Sequence, residues 1–337
     1  MGNHSKFSIL RRLAGKGYLP GYCPTPEKDI VIAYDRDFIA NAKRFHAALP
    51  SPRVDLLLML NWQHETSEEA EKLSSQLHTI CSRWPELHVT VLANSPQEEK
   101  ILHSYGVTVV LCHQNAFLDF RRYRFSKRKV RKYDAVYIAR ITPFKRHALA
   151  SKIANLLIIG GYSQQETVYA EAVLRELNHA TWLPKVKSFR LSSLLKNCNC
   201  GLCLSEAEGA MFAATEYLLC GLPVVNTDNL GGRNEMIPAF AEQRVADNPD
   251  AVAAGVQYWR NNPSEPYKIR TAAISLIEHH RAIFINLING IYRERGIQRD
   301  YNKEWPKYFR HKMGIRCRIR PWTKWQHGIP ESSAGLQ

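Results

Sequence analysis

Apolar and polar positions along the chain follow two alternating periods. Short apolar runs occur at residues 29–34 (DIVIAY), 54–61 (VDLLLMLN), 87–93 (LHVTVLA) and 107–113 (VTVVLCH). Each is rich in Val, Ile or Leu, the pattern of a strand covered on both faces. Between them, residues 38–49, 66–84 and 96–105 carry apolar residues at helical spacing. Thr66 begins one of these helices, with Glu68 and Glu69 in the first turn, where acid complements the positive helix end. Pro85 and Gly106 close two of them. Strand and helix in turn predict a parallel sheet with helices on both faces. A first domain is therefore expected over residues 1–133, with an irregular start through residue 27.

The alternation then resumes. Strands are expected at residues 134–141 (DAVYIARI), 156–159, 185–189, 198–204 and 222–227. Helices are expected at 168–177, 192–196, 210–220 and 248–261, with a long amphipathic helix at 267–293 and a short one near Arg233. Gly221 and Pro223 stop the helix before the strand at 222–227. This predicts a second α/β domain over 134–295 and leaves 296–337 as a basic, aromatic tail.

The densest stretch is SEAEGAMFAATEYLLCGLPVVNTDNLGGRNEMI, residues 205–237. It reads as an acidic loop, a helix, a strand and a Gly-Gly loop. Such units bind ligands at the carboxyl ends of parallel strands, where helix N-termini offer free N–H groups. Glu208 and Glu216 stand at E-x7-E spacing. The segment EGAMFAATE, followed by CGLPVV and GGRNE, resembles the donor-binding signature of the retaining GT-B glycosyltransferases of family GT4. A second constellation lies in ARITPFKRH: Arg140 at a strand end and Lys145 five positions later, a cation pair suited to a diphosphate. Arg146 and His147 extend it.

The resemblance covers residues 134–245 best, and it implies a GT-B fold of two Rossmann-like domains with a cleft between them and C-terminal helices crossing back. It also implies roles. Arg140 and Lys145 would neutralise the departing nucleoside diphosphate. Glu208 would contact the donor sugar, and Glu216 the ribose hydroxyls. Backbone groups of Gly209, Ala210 and Met211 would meet the diphosphate or sugar, and Gly160 and Gly161 would join the donor-binding set. From the first domain, His113 would face the donor sugar. No glycine-rich loop follows the first strand; Asp35 and Asp37 stand there, as acceptor contacts or as exposed loop acids. The implied reaction moves a sugar with retention from a UDP- or GDP-sugar to a saccharide, lipid-linked or small-molecule acceptor, without metal or cofactor.

Composition adjusts this picture in two places. The net charge of +15 over 337 residues is clustered at 121–132 and 303–324, the second run interleaved with Trp and Tyr. That suits an anionic membrane surface, and it motivates the rival reading of a nucleic-acid- or membrane-binding protein on a degenerate GT-B scaffold. The complete set of Arg140, Lys145, Glu208 and Glu216 favours the enzyme, with nucleic acid not expected as a partner. Of eight cysteines, Cys198, Cys200 and Cys203 fall within one expected strand. Their alternating faces and the lack of a second Cys/His pair mark them as small buried hydrophobes rather than zinc ligands. Without an implied disulfide framework, signal-peptide core or spanning run, a cytoplasmic protein, peripheral on the membrane at most, is expected.

Overall fold

The computed structural model describes residues 19–49, 51–125, 131–313 and 318–319. After a two-residue strand β1 (Leu19–Pro20), the first domain is built from β2 (Ile30–Tyr34), β3 (Val54–Met59), β4 (Leu87–Ala93) and β5 (Val109–Leu111). They form one parallel sheet in the order β2-β3-β4-β5. Helices α1 (Asp35–Ile39), α2 (Ala42–Ala48), α3 (Ser67–Arg83) and α4 (Pro96–Ser104) connect them. The cap read from the sequence at Thr66 is in place, and Ser95 caps the next helix; each accepts the N–H of the third helical residue. Val31, Ala33, Leu56, Leu58 and Val91 face the connecting helices. Ile30, Ile32, Leu57, Met59 and Leu92 face the other way. Both faces are thus apolar, as a parallel sheet requires.

The second sheet is also parallel, in the order β11-β10-β9-β6-β7-β8. Its strands are β6 (Tyr133–Ile138), β7 (Leu156–Ile159), β8 (Thr181–Leu183), β9 (Cys198–Cys203), β10 (Val224–Asn226) and β11 (Glu242–Arg244). Helices α5 (Thr167–Glu176), α6 (Ser188–Leu195), α7 (Phe212–Leu219) and α8 (Pro249–Asn261) accompany it. α9 (Pro266–Glu294) then runs for roughly 44 Å and serves both domains. Its first half packs Ile269, Ala273 and Ile277 into the second-domain core. Its second half packs Phe284, Ile285 and Ile288 on the first sheet. The fold class is that expected: α/β, with two parallel sheets and a long helix crossing back.

Three expectations are corrected and one strand is added. The strand expected at 185–189 lies earlier, as β8, and residues 188–195 are helix. Trp182 Nε1 donates to the Gly160 carbonyl at 2.8 Å and anchors β8, and Pro184 ends it. The strand β11 is a polar edge (EQR) that no apolar run announces. Asp35 is not an exposed loop acid; it opens α1, is buried, and accepts the Asn61 N–H at 2.9 Å. Finally, the region expected as a tail is part of the fold up to Met313. α10 (Tyr301–Tyr308) buries Tyr301, whose hydroxyl donates to the Pro24 carbonyl at 3.0 Å. Trp305 packs on Phe284 and Phe309, with ring centroids 5.8 and 4.9 Å apart. Aromatic residues in a basic run here serve the core. The strand β12 (Arg318–Ile319) pairs with β1. The basic residues at 126–130 and 320–324 lie outside the described residues.

Candidate active site

A cleft of 940 Å³ opens between the carboxyl ends of the two sheets. The ends of β2, β3 and β5 supply one wall, through Arg36, Trp62 and Gln114; the ends of β6, β7, β8 and β9 supply the other. Trp62 and Phe144 meet edge to face across it, at 5.2 Å.

Arg140 follows β6 and stands exposed on the cleft wall. Lys145 ends the 3-10 turn Pro143–Lys145, and Tyr137 donates to its carbonyl at 2.6 Å. Its ammonium bonds directly to Glu208, whose same oxygen also accepts from Ser205 Oγ at 2.7 Å. Burial lowers the Lys145 pKa, with the Glu208 charge pulling it back up. The structure thus joins two residues expected to hold different parts of a donor. Without a ligand they neutralise each other. Arg146 and His147, expected to extend the cation pair, turn away from it. Arg146 spans Leu204 O, Thr227 Oγ1 and Asp247, at 2.6, 2.8 and 2.6 Å. His147 is buried beside the Tyr137 ring, its pKa pushed down to about 3 by burial.

Gly209, Ala210 and Met211 line the cleft and lead into α7. Met211 holds a left-handed backbone, φ 41°, an unusual conformation for its residue type and one that concentrates at ligand sites. No side chain caps α7, so N–H groups of its first turn are available to an anion. The Gly-Gly loop fixes this approach. Gly231 has φ 103°, and a Cβ there would lie 1.8 Å from the Glu208 carbonyl. The two loops exchange bonds from Glu208 N to Leu230 O and from Gly232 N to Gly209 O, both at 2.9 Å. Arg233, fully buried, donates to the carbonyls of Ser205 and Thr227. It stakes the acidic loop from behind, a role the sequence offered no sign of.

Gly160 lines the cleft, and a Cβ there would strike the Ala139 carbonyl. Gly161 is not on the wall; its carbonyl accepts from Ile141 N at 3.0 Å. Glu216 is also off the wall, one helical turn after Phe212 and Ala213, which line it. It is buried, and its Oε1 accepts from Tyr123 at 2.9 Å and from Lys312 at 2.7 Å.

His113 is placed differently from the expectation that it faces the sugar. It is fully buried: Nδ1 accepts the Asn115 N–H at 3.1 Å, and Nε2 donates to the Gly232 carbonyl at 3.0 Å. Burial, with His280 beside it, pushes its pKa down to about 3. It is a neutral strut between the domains. The neighbour Gln114 reaches the cleft instead, bonded to Leu60 O at 3.2 Å. Asn115 bonds Ala210 O and Thr215 Oγ1, at 3.1 and 2.7 Å, tying this loop to α7. Asp37 is exposed on the cleft wall.

Cys198, Cys200 and Cys203 are buried free thiols, those of Cys198 and Cys203 pushed up to about 12 by burial. Among the described residues no group of three His, Cys, Asp or Glu side chains is placed to hold a metal. Nor is any helix among them long and apolar enough to cross a membrane.

Residues 119–275 match the model of the family described as glycosyl transferases group 1. No curated protein sequence matches the chain. Among solved structures, Anabaena HepE in complex with UDP superposes with a TM-score of 0.61 at 14% identity, covering 78% of this chain and 79% of that one. The sucrose-phosphate synthase of Thermosynechococcus elongatus gives 0.55 at 18% identity, covering 77% of each. TarM gives 0.57 at 15% identity, covering 74% of this chain and 53% of its own. The solved structures share the GT-B fold, and residues 119–275, a little under half of the chain, match the glycosyl transferases group 1 model; together they indicate a glycosyltransferase.

Proposed function

We propose that the protein is a retaining transferase of the GT4 type, moving a sugar from a UDP- or GDP-sugar to a saccharide, lipid-linked or small-molecule acceptor. The observation that carries this reading is the meeting of Arg140, Lys145, Glu208 and the uncapped start of α7 at one cleft between the two sheets. Breaking a sugar–phosphate bond builds negative charge on the departing diphosphate. Fixed cations and helix N–H groups aimed at that charge stabilise the transition state. The donor's diphosphate competes with Glu208 for Lys145, which releases the Glu208 carboxylate to accept from sugar hydroxyls. Because Arg140 and Lys145 supply the positive charge, the reaction needs no metal. HepE has been solved with UDP and with UDP-glucose, which supports a uridine nucleotide as the first to try.

A thermal-shift screen against UDP, GDP, CDP, ADP and their sugar conjugates tests the proposal, run on the wild type and on Arg140→Ala. Binding to the native state raises its apparent stability. One nucleotide is expected to shift the wild type. With its sugar conjugate as donor, Arg140→Ala should turn over about 100- to 1,000-fold more slowly, the usual effect of losing one such donor. Chelator should leave the wild-type rate unchanged. No shift with any nucleotide at millimolar concentration would overturn the reading.

A further inference from the structure

The C-terminal segment that follows α10 returns to the donor helix. Phe309 N bonds Trp305 O at 2.8 Å and closes α10. His311 Nδ1 then accepts the Asp119 N–H at 3.0 Å, and Lys312 N donates to Phe117 O at 2.7 Å. Lys312 has a left-handed backbone, φ 52°, and Met313 is buried just beyond it. Three anchors in three residues, one of them in a sparsely populated conformation, fix where the Lys312 side chain goes. It crosses the Phe212 ring at 4.7 Å and places its ammonium 2.7 Å from Glu216 Oε1. Tyr123, in the segment linking the two sheets, donates to the same oxygen. The Glu216 side chain is only 5% exposed and that of Lys312 27%. Among the described residues none donates to the other oxygen, Oε2.

We propose that Lys312 is a positioning residue for the donor nucleotide. With Tyr123 it holds Oε1 of Glu216 and so turns Oε2 toward the ribose hydroxyls. This rests on the reading of Glu216 as the ribose acceptor. It adds a contribution from outside residues 119–275, the span that the family model matches. The physical argument is one of geometry and charge. A glutamate has three rotatable side-chain bonds, and a contact that selects one rotamer pays its ordering entropy before the ligand arrives. A buried carboxylate without a cation is strongly disfavoured, so removing Lys312 leaves Glu216 either uncompensated or swung away. Either way the hydroxyls of the ribose lose a charged partner. That contact is made in ground state and transition state alike, so its loss weakens donor binding and raises KM more than it lowers kcat.

Calorimetric titration of the full chain tests this, with UDP and 2′,3′-dideoxy-UDP as paired probes, or the guanosine pair if the wild type prefers GDP. The wild type is expected to favour UDP by about tenfold or more, the discrimination that one hydrogen bond to a charged group provides. Lys312→Met should weaken UDP about tenfold and leave the dideoxy probe unchanged, so that the preference collapses. Lys312→Arg should restore most of it. If Lys312→Met does not fold, Tyr123→Phe carries the same comparison, with a smaller loss of preference. Equal weakening of both probes would mean that Lys312 only holds the fold together, and overturns the inference. A preference that survives in Lys312→Met overturns it too, while leaving the proposed donor site intact. A wild type that binds neither nucleoside diphosphate overturns both proposals.

Discussion

At the scale of single residues, the free site is held in a closed electrostatic state. Lys145 and Glu208 bond to each other, and Ser205 donates to the same carboxylate oxygen. On the proposed reading, a donor diphosphate has to draw Lys145 away from Glu208, so the pair opposes binding by the strength of its own contact. Glu208→Gln removes the negative charge next to the phosphates. The variant should bind the nucleoside diphosphate at least as tightly as the wild type. It should turn over about 10- to 100-fold more slowly, since the sugar hydroxyls lose a charged acceptor. Calorimetry and initial rates separate the two effects, and a variant that binds more weakly would show that Glu208 does not compete for Lys145. The types of these residues were legible in the sequence, because the E-x7-E and R-x4-K spacings are local. Their partners were not: Lys145 and Glu208 are 63 positions apart, and Glu216 and Lys312 are 96 apart. His113 was misread for a related reason. A histidine at a strand end looks the same in sequence whether its ring meets a ligand or the Gly232 carbonyl.

At the scale of elements, α9 carries the greatest responsibility. Its second half presents Phe284 to Phe117, Tyr301 and Trp305, so one side chain touches the turn before the cleft and the helix before Lys312. Phe284→Ala should cost about 3–5 kcal/mol by leaving a cavity among these rings. Denaturant unfolding should show this as a lower midpoint. A change below 1 kcal/mol would mean that the cluster repacks around the gap. Strands with long apolar runs were read correctly because both faces of a parallel sheet must be apolar. β8 and β11 were missed or misplaced because they are short edge strands, partly wet, with no apolar run to mark them. α10 was read as tail because basic residues and aromatics alternate in it. Only its contact with α9 shows that the aromatics face inward.

At the scale of the molecule, buried ionisable groups set the response to acid. Burial holds His113 and His147 at a pKa of about 3, against ~6.5 for a free histidine. As pH falls below ~6.5, the unfolded chain takes up these protons and the fold does not. Stability therefore drops by about 1.4 kcal/mol per pH unit for each. His280, lowered to about 4, adds in the same direction. Glu98 acts oppositely: burial raises its carboxyl to about 7, so the fold gains its proton before the unfolded chain does. Burial also raises the carboxyls of Asp35, Asp37 and Glu235 and lowers His64; of the carboxyls only Glu98 is carried as far as about 7, so the histidines prevail between pH 7 and pH 5. Unfolding midpoints in denaturant should fall between pH 7 and pH 5, and a higher midpoint at pH 5 would contradict this balance. Protonation of His113 would fall on Nδ1 and break the bond from Asn115 N, while the Nε2 bond to the Gly232 carbonyl stays in place.

The sequence by itself determined the fold class, the order of most strands and helices, and the family of chemistry. Those properties follow from periods of two and 3.6 residues, from caps and stops, and from motifs held within a dozen positions. The tertiary structure decided which of the marked residues face the cleft, which cation answers which carboxylate, and that the C-terminal segment joins α7. The reason is physical: charge pairing and burial depend on distance in space, and residues far apart along the chain become neighbours only once both sheets and α9 have packed.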